Sequence, residues 1–240
     1  DPRASTITPF MAGAALQEGG VTPQTPRNDP GYWRIPNSNT RPYRDWLRWG
    51  HGRVDIIKSI EESVDTFFYQ VAYDMGIDRI SSWMMMFGFG DYTGIDIYEE
   101  SKANMPTREW KMSRHRTPWY KGDTIPVGIG QGYWTATPMQ IAKATSVLVN
   151  DGAVTAPHLL KASINNGGDF DEQHSEEYLT YPPIKDVPKK YWDMAKEGMR
   201  RVSHGVRGTA RRSFYDMSYE TAGKSGTAQV FGLAEDEEYK

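Results

Sequence analysis

The sequence predicts an α+β domain, and three observations carry that reading. Apolar residues recur at helical spacing over several stretches separated by Gly- and Pro-rich segments. Two runs late in the chain, 153–164 and 220–231, have the apolar and β-branched content of strands. No internal repeat or low-complexity tract imposes a solenoid.

The first helix is expected over 6–18 (TITPFMAGAALQE), starting near Ser5 and closed by Gly19-Gly20. Residues 20–52 break that rhythm, because Pro23, Pro26, Pro30, Pro36 and Pro42 impose an irregular path. The aromatics Tyr32, Trp33, Tyr43, Trp46 and Trp49 give this segment the means to pack down. Helical spacing resumes over 53–75 as two helices meeting near Ser63-Val64-Asp65, then over 77–87, ended by Gly88 and Gly90. Met84, Met85 and Met86 read as core filling. From 90 to 132 the chain is rich in Gly and Pro. Its basic, aromatic stretch (Arg108, Trp110, Lys111, Arg114, His115, Arg116, Trp119, Lys121) reads as a solvated surface loop. Gly128-Ile129-Gly130-Gln131-Gly132 lacks the spacing of either phosphate-binding loop. It leads into a helix at about 137–150, with Pro138 where a first-turn proline belongs. The strand at 153–164, a polar insertion at 165–190, a helix at 191–203 and the strand at 220–231 complete the order.

Composition narrows the function classes. The 240 residues are 38% hydrophobic and 12% aromatic, enough for a sizeable core and too much for a disordered chain. A net charge of −3 gives no electrostatic reason to seek nucleic acid as a partner. With no cysteine, a disulfide scaffold, a Cys-ligated metal and a thiol nucleophile are all excluded. No apolar run approaches the roughly 18 residues that span a bilayer.

Three segments carry hydroxyl and amine chemistry in a telling order. Ser5 opens the first helix, Ser63-Val64-Asp65 joins two helices, and Lys224-Ser225-Gly226-Thr227 lies in the late strand. Their order matches the serine acyl-transfer set Ser-x-x-Lys, Ser-x-Asn and Lys-Ser/Thr-Gly. A serine hydroxyl needs a neighbouring base at neutral pH, and Gly226 would let a ligand approach the strand backbone. In the proline-rich segment, Asp29, Asp45 and His51 are two carboxylates and an imidazole suited to Zn²⁺. The remaining histidines, His115, His158, His174 and His204, sit in unrelated contexts and assemble no Ser-His-Asp triad.

Beyond these motifs, SVDTFFYQVAYDMGIDR, YTGIDI, NMPTREWK, GDTIPVGIGQGYWTATPMQIAKA and AGKSGTAQVFGL closely resemble segments of the class B penicillin-binding proteins, in particular their elongation-specific Gram-negative branch. The resemblance runs over nearly the whole chain. It implies the penicillin-recognising fold, shared with serine β-lactamases: a five-stranded antiparallel sheet covered by helices, beside a mostly helical lobe. Residues 1–240 would be a partial transpeptidase domain, starting at the nucleophile helix and ending just after the Lys-Ser-Gly-Thr strand. An N-terminal membrane anchor and pedestal would precede them, and the last strands and helix would follow.

The implied activity is D,D-transpeptidation of peptidoglycan stem peptides, and β-lactams would inhibit it. Ser5 would form the acyl-enzyme, with no cofactor needed for acyl transfer. Ser63 would relay protons. Asp65, where many relatives carry Asn, would hold the base or the substrate amide, and Lys224 would supply positive charge. Ser225 and Thr227 would bind the peptide carboxylate beside Gly226, and the backbone N–H groups of Ser5 and Thr227 would form the oxyanion hole. Relatives also hold zinc through two Asp, one His and one Cys, the Cys falling at Val64 here, so Asp29, Asp45 and His51 would need water as a fourth ligand. The implied location is the periplasmic face of the inner membrane, and the implied partner a SEDS-family glycan polymerase.

One departure stands at the nucleophile. The family places Lys three residues after its serine; this chain has Thr8. Threonine offers no basic lone pair near pH 7, so acylation is expected to fall by orders of magnitude. A copy that only binds stem peptides, or serves as a scaffold, is the alternative. A β-lactamase-type hydrolase shares the motif logic, but no deacylating carboxylate can be assigned.

Overall fold

Helix α1 (Thr8–Gln17), entered through a 3₁₀ turn at Ala4–Ile7, is buried on every side from Thr8 to Leu16. A helix apolar all round can sit only inside a domain. Around it pack α2 (Ile56–Glu61), α3 (Asp65–Met75), α4 (Ile77–Met86) and the long α8 (Lys189–His204). The computed structural model describes residues 4–227, apart from 19, 161–162, 165–166, 169 and 172–179.

Local chemistry explains most boundaries. Asp55 caps α2 by accepting from the Lys58 N–H at 2.8 Å. Thr137 and Gln140 form a capping box on α7 (Pro138–Val149), with the anticipated proline in its first turn. Aromatic contacts then fix the core: Phe10 meets Phe87 at 5.2 Å and Phe89 at 5.6 Å, and Phe89 meets Trp134 edge-on at 5.2 Å. Gly13 lets Trp83 lie against α1, where its indole donates to the Phe10 carbonyl at 3.0 Å.

The strands are short antiparallel pairs. β1 (Arg27–Asp29) pairs with β4 (Gly52–Val54), and β2 (Tyr32–Trp33) pairs with β3 (Tyr43–Arg44), folding the proline-rich segment against α3. Later, β5 (Val154–Thr155) pairs with β8 (Thr180–Tyr181), and β6 (Ser163–Ile164) pairs with β7 (Phe170–Asp171). The α+β class holds, but the described residues contain no five-stranded sheet. The expected 153–164 strand is interrupted between β5 and β6. Residues 220–227 run without ladder pairing, while 228–231 and His174 lie outside the described residues.

Two further expectations need correction. The stretch read as a surface loop contains α5 (Arg108–His115), capped by Thr107, and α6 (Lys121–Val127). Arg108, Arg114, Arg116 and Lys121 are exposed, yet Trp119 and Lys111 are buried. The Lys111 ammonium pairs with Asp123 and lies over the rings of Trp119, Tyr120 and Tyr133, which substitute for lost water. In the methionine run, only Met84 fills the core; Met85 and Met86 face outward. The Gly128 turn has a packing role, because a Cβ there would meet the Phe68 carbonyl at 2.5 Å and the Ala72 side chain at 2.8 Å.

Candidate active site

Ser63 owes its conformation to the way α2 ends. Its N–H bonds to the Ile60 carbonyl at 3.2 Å, and that of Val64 bonds to Ser59 at 2.9 Å, the pair of contacts that closes a helix through a left-handed residue. Glycine normally fills that place; here it is Ser63, with φ +55°. A side chain in this region costs about 1–2 kcal/mol, so the turn must be held. Trp46 holds it from one side: its indole N–H reaches the carbonyls of Ser63 at 3.0 Å and Glu62 at 3.2 Å. On the other side, Asp45 Oδ2 accepts from the Thr66 N–H at 3.2 Å, capping α3 through space.

The three predicted segments converge on this turn. Lys224 Nζ donates to Ser63 Oγ at 2.8 Å and to the Ser225 carbonyl at 2.9 Å. Ser5 Oγ donates to Asp65 Oδ1 at 3.4 Å. Gly226 lies against the 3₁₀ turn, where an added Cβ would meet Thr6 Cγ2 at 2.6 Å and the Thr6 nitrogen at 3.3 Å. That contact gives Gly226 a packing reason to lack a side chain. Ser225, Gly226 and Thr227 are exposed, while Ser5 and Ser63 are buried beneath the surface that the Lys224 ammonium joins to Ser63. Ser225 Oγ shares a 2.7 Å hydrogen bond with Thr209 Oγ1.

Electrostatics couple the site. Burial lowers Lys224 to about 8, and only the opposing charge of Asp65 resists this. Asp65 moves the other way: burial and the negative charge of Asp45 raise it well above the ordinary carboxylate range, against the pull of Lys224 and the Ser5 hydrogen bond. Thr8, at the position of the expected lysine, is buried, and its hydroxyl donates back to the Ser5 carbonyl at 2.8 Å.

Asp29, Asp45 and His51 also come together, all buried, with one ligand atom from each within 4.8 Å of the others. Asp29 Oδ2 pairs with His51 Nδ1 at 2.7 Å, and Asp45 Oδ1 lies 3.6 Å from the same nitrogen. Burial raises Asp45 to about 6. Burial also acts to raise Asp29, but hydrogen bonds led by that from His51 outweigh it and hold Asp29 below its ordinary value. Among the described residues, His51 Nε2 is buried without a hydrogen-bond partner. Two carboxylates and an imidazole whose Nδ1 faces them both are a donor set that fits zinc; Val64, beside the Ser63 turn, is fully buried. The His51 ring packs 5.3 Å from that of Trp46, so the cluster and the Ser63 turn share a wall.

Sequence reasoning missed Trp46 and Thr209. Only the density of aromatics in the proline-rich segment pointed toward Trp46; nothing local marked Thr209.

A family model for the penicillin binding protein transpeptidase domain matches residues 2–240. The chain is 55% identical over 238 residues to the peptidoglycan D,D-transpeptidase MrdA of Escherichia coli (strain K12), covering 99% of this chain and 37% of that protein. The structure is similar to Pseudomonas aeruginosa PBP2 in complex with WCK 5153, with TM-score 0.83 and 41% identity, over 95% of this chain and 50% of that one. It is also similar to PBP2 from Helicobacter pylori in its complex with MreC, with TM-score 0.81 and 30% identity, over 95% of this chain and 40% of that one. The chain therefore spans little more than a third of the length of its curated relative.

Proposed function

Because the chain belongs to the penicillin-binding protein transpeptidase family, we propose that it carries the acyl-transfer site of a peptidoglycan D,D-transpeptidase that cross-links stem peptides during cell elongation. The observation that carries this reading is the 2.8 Å bond from Lys224 to Ser63, spanning 161 residues beside the turn that bears Ser5. Unrelated residues have no reason to bring a strained serine, a buried serine and a depressed lysine together.

In this reading the Ser5 oxygen attacks the carbonyl of the penultimate D-Ala, and the backbone N–H groups of Ser5 and Thr227 stabilise the oxyanion. One such donor contributes about 10²–10³ in rate in other enzymes. The C–N bond to the terminal D-Ala breaks, and its amine leaves with a proton passed along Ser63. The amine of a second stem then attacks the ester and frees Ser5. Lys224, Ser225 and Thr227 hold the peptide carboxylate, and β-lactams, which carry a carboxylate beside a strained amide, occupy the same place.

Residues 1–240 would be part of a transpeptidase domain in a longer protein, anchored on the periplasmic face of the inner membrane. Its partner would be a SEDS-family polymerase, and the complex of the H. pylori relative with MreC supports assembly with partner proteins. Zinc on Asp29, Asp45, His51 and water would act structurally, neutralising two buried carboxylates behind the Ser63 turn, with weaker binding than a four-ligand site.

Thr8 favours a second reading, in which this copy binds stem peptides without turning them over. D-Ala release from a stem pentapeptide by the full-length protein, as it stands and with Thr8→Lys, separates the two. The transpeptidase reading expects release to rise by orders of magnitude with lysine. Equal inactivity of both would leave the binding role.

A further inference from the structure

We propose that in this chain Asp65, rather than a lysine, is the general base that takes the proton from Ser5. The inference rests on the acyl-transfer reading above and deepens it. Proton abstraction is first a matter of reach. Asp65 Oδ1 is the acceptor of the Ser5 hydroxyl, at 3.4 Å, a length that catalytic hydrogen bonds commonly show before substrate tightens them. The other candidates are turned elsewhere. Thr8 Oγ1 is committed to the Ser5 carbonyl, and Lys224 Nζ to Ser63 Oγ and the Ser225 carbonyl.

The surroundings of Asp65 suit the task. An ordinary carboxylate is a feeble base toward an alcohol, but this one is removed from water by burial, with the Lys224 ammonium opposite. Its proton affinity rises accordingly, toward that of the depressed lysine. The step balances without any further reagent. The Oγ–H bond breaks as the proton moves to Asp65 Oδ1, and the Oγ–C bond forms at the acyl carbon. When the C–N bond breaks, the proton leaves Asp65 and reaches the departing nitrogen through the Ser63 hydroxyl. Lys224 stays an ammonium throughout and offsets the carboxylate charge.

The test is the acylation rate of the full-length protein with labelled penicillin, with the adduct located by mass spectrometry, for the parent, Asp65→Asn, Thr8→Lys and the Thr8→Lys/Asp65→Asn pair. Loss of a general base costs about 10²–10⁴-fold, so Asp65→Asn should slow the slow parent by at least about 100-fold. In the lysine background the same change should cost less than about tenfold, since lysine then does the work. A structural defect would slow both backgrounds alike, so equal losses overturn the proposal. So does an unchanged rate in Asp65→Asn, or a parent that never labels while Thr8→Lys does. If Thr8→Lys is inert or labels away from Ser5, the acyl-transfer reading itself fails, and the proposal falls with it.

Discussion

Replacing Trp46 with Phe should weaken the reactive turn more than it weakens the protein. The substitution keeps an aromatic ring against His51 but deletes the N–H shared between the Glu62 and Ser63 carbonyls. A hydrogen bond of this kind contributes about 0.5–1.5 kcal/mol net. Ser63 at φ +55° costs about 1–2 kcal/mol. The two are of similar size, so without the indole the strained turn loses most of what offsets its strain, and relaxed conformers that carry Ser63 Oγ away from Lys224 gain population. A shift of about 0.5–1.5 kcal/mol corresponds to about 2–12-fold. The assay is second-order acylation by labelled penicillin in a Thr8→Lys background, with urea unfolding in parallel. The expected result is a rate about 2–12-fold slower, with about 1 kcal/mol lost in unfolding free energy. An unchanged rate would refute the view that Trp46 holds the Ser63 turn.

Other consequences follow from the same geometry. Burial makes folded Lys224 shed its proton near pH 8, before its unfolded value of 10.5. The unfolded chain therefore binds more protons in that window, and stability from this group rises as pH increases from about 8 to 10.5. Thermal unfolding of Lys224→Met against the parent should show that increment disappear; identical pH profiles would contradict the burial argument. Full-length protein dialysed against zinc should retain it, His51→Ala should lose it, and Val64→Cys should bind it more tightly. Metal analysis that finds no zinc in the Val64→Cys protein would end the zinc assignment. Lys111→Ala leaves Asp123 without its ammonium, and breaking such a pair costs about 3–5 kcal/mol. A denaturation midpoint indistinguishable from the parent's would refute the structural weight given to the Lys111–Asp123 pair.

Helices with a strong apolar stripe or a clear cap were legible in the sequence. The break between α2 and α3 at Ser63 and the Thr137-Pro138 start of α7 stand where spacing and capping chemistry put them. Helix α6 was hidden because Gly122 and Pro126 lie inside it, and α5 because its polar surface offers few apolar positions to count. Lys111 misled for a related reason. Charge predicts exposure only until a partner is found, and its partner Asp123 sits on another helix. The serines, Asp65 and Lys224 were readable as motifs, since acyl-transfer chemistry confines residue type and order. Trp46 was not, because its role depends on the left-handed turn at Ser63, a backbone conformation that a serine does not advertise.

The most direct test is to map the covalent label: digest penicillin-treated full-length protein carrying Thr8→Lys and find which residue holds the drug. The account predicts a single acyl adduct on Ser5, abolished by Ser5→Ala. A label that survives Ser5→Ala, or sits on another residue, would contradict it.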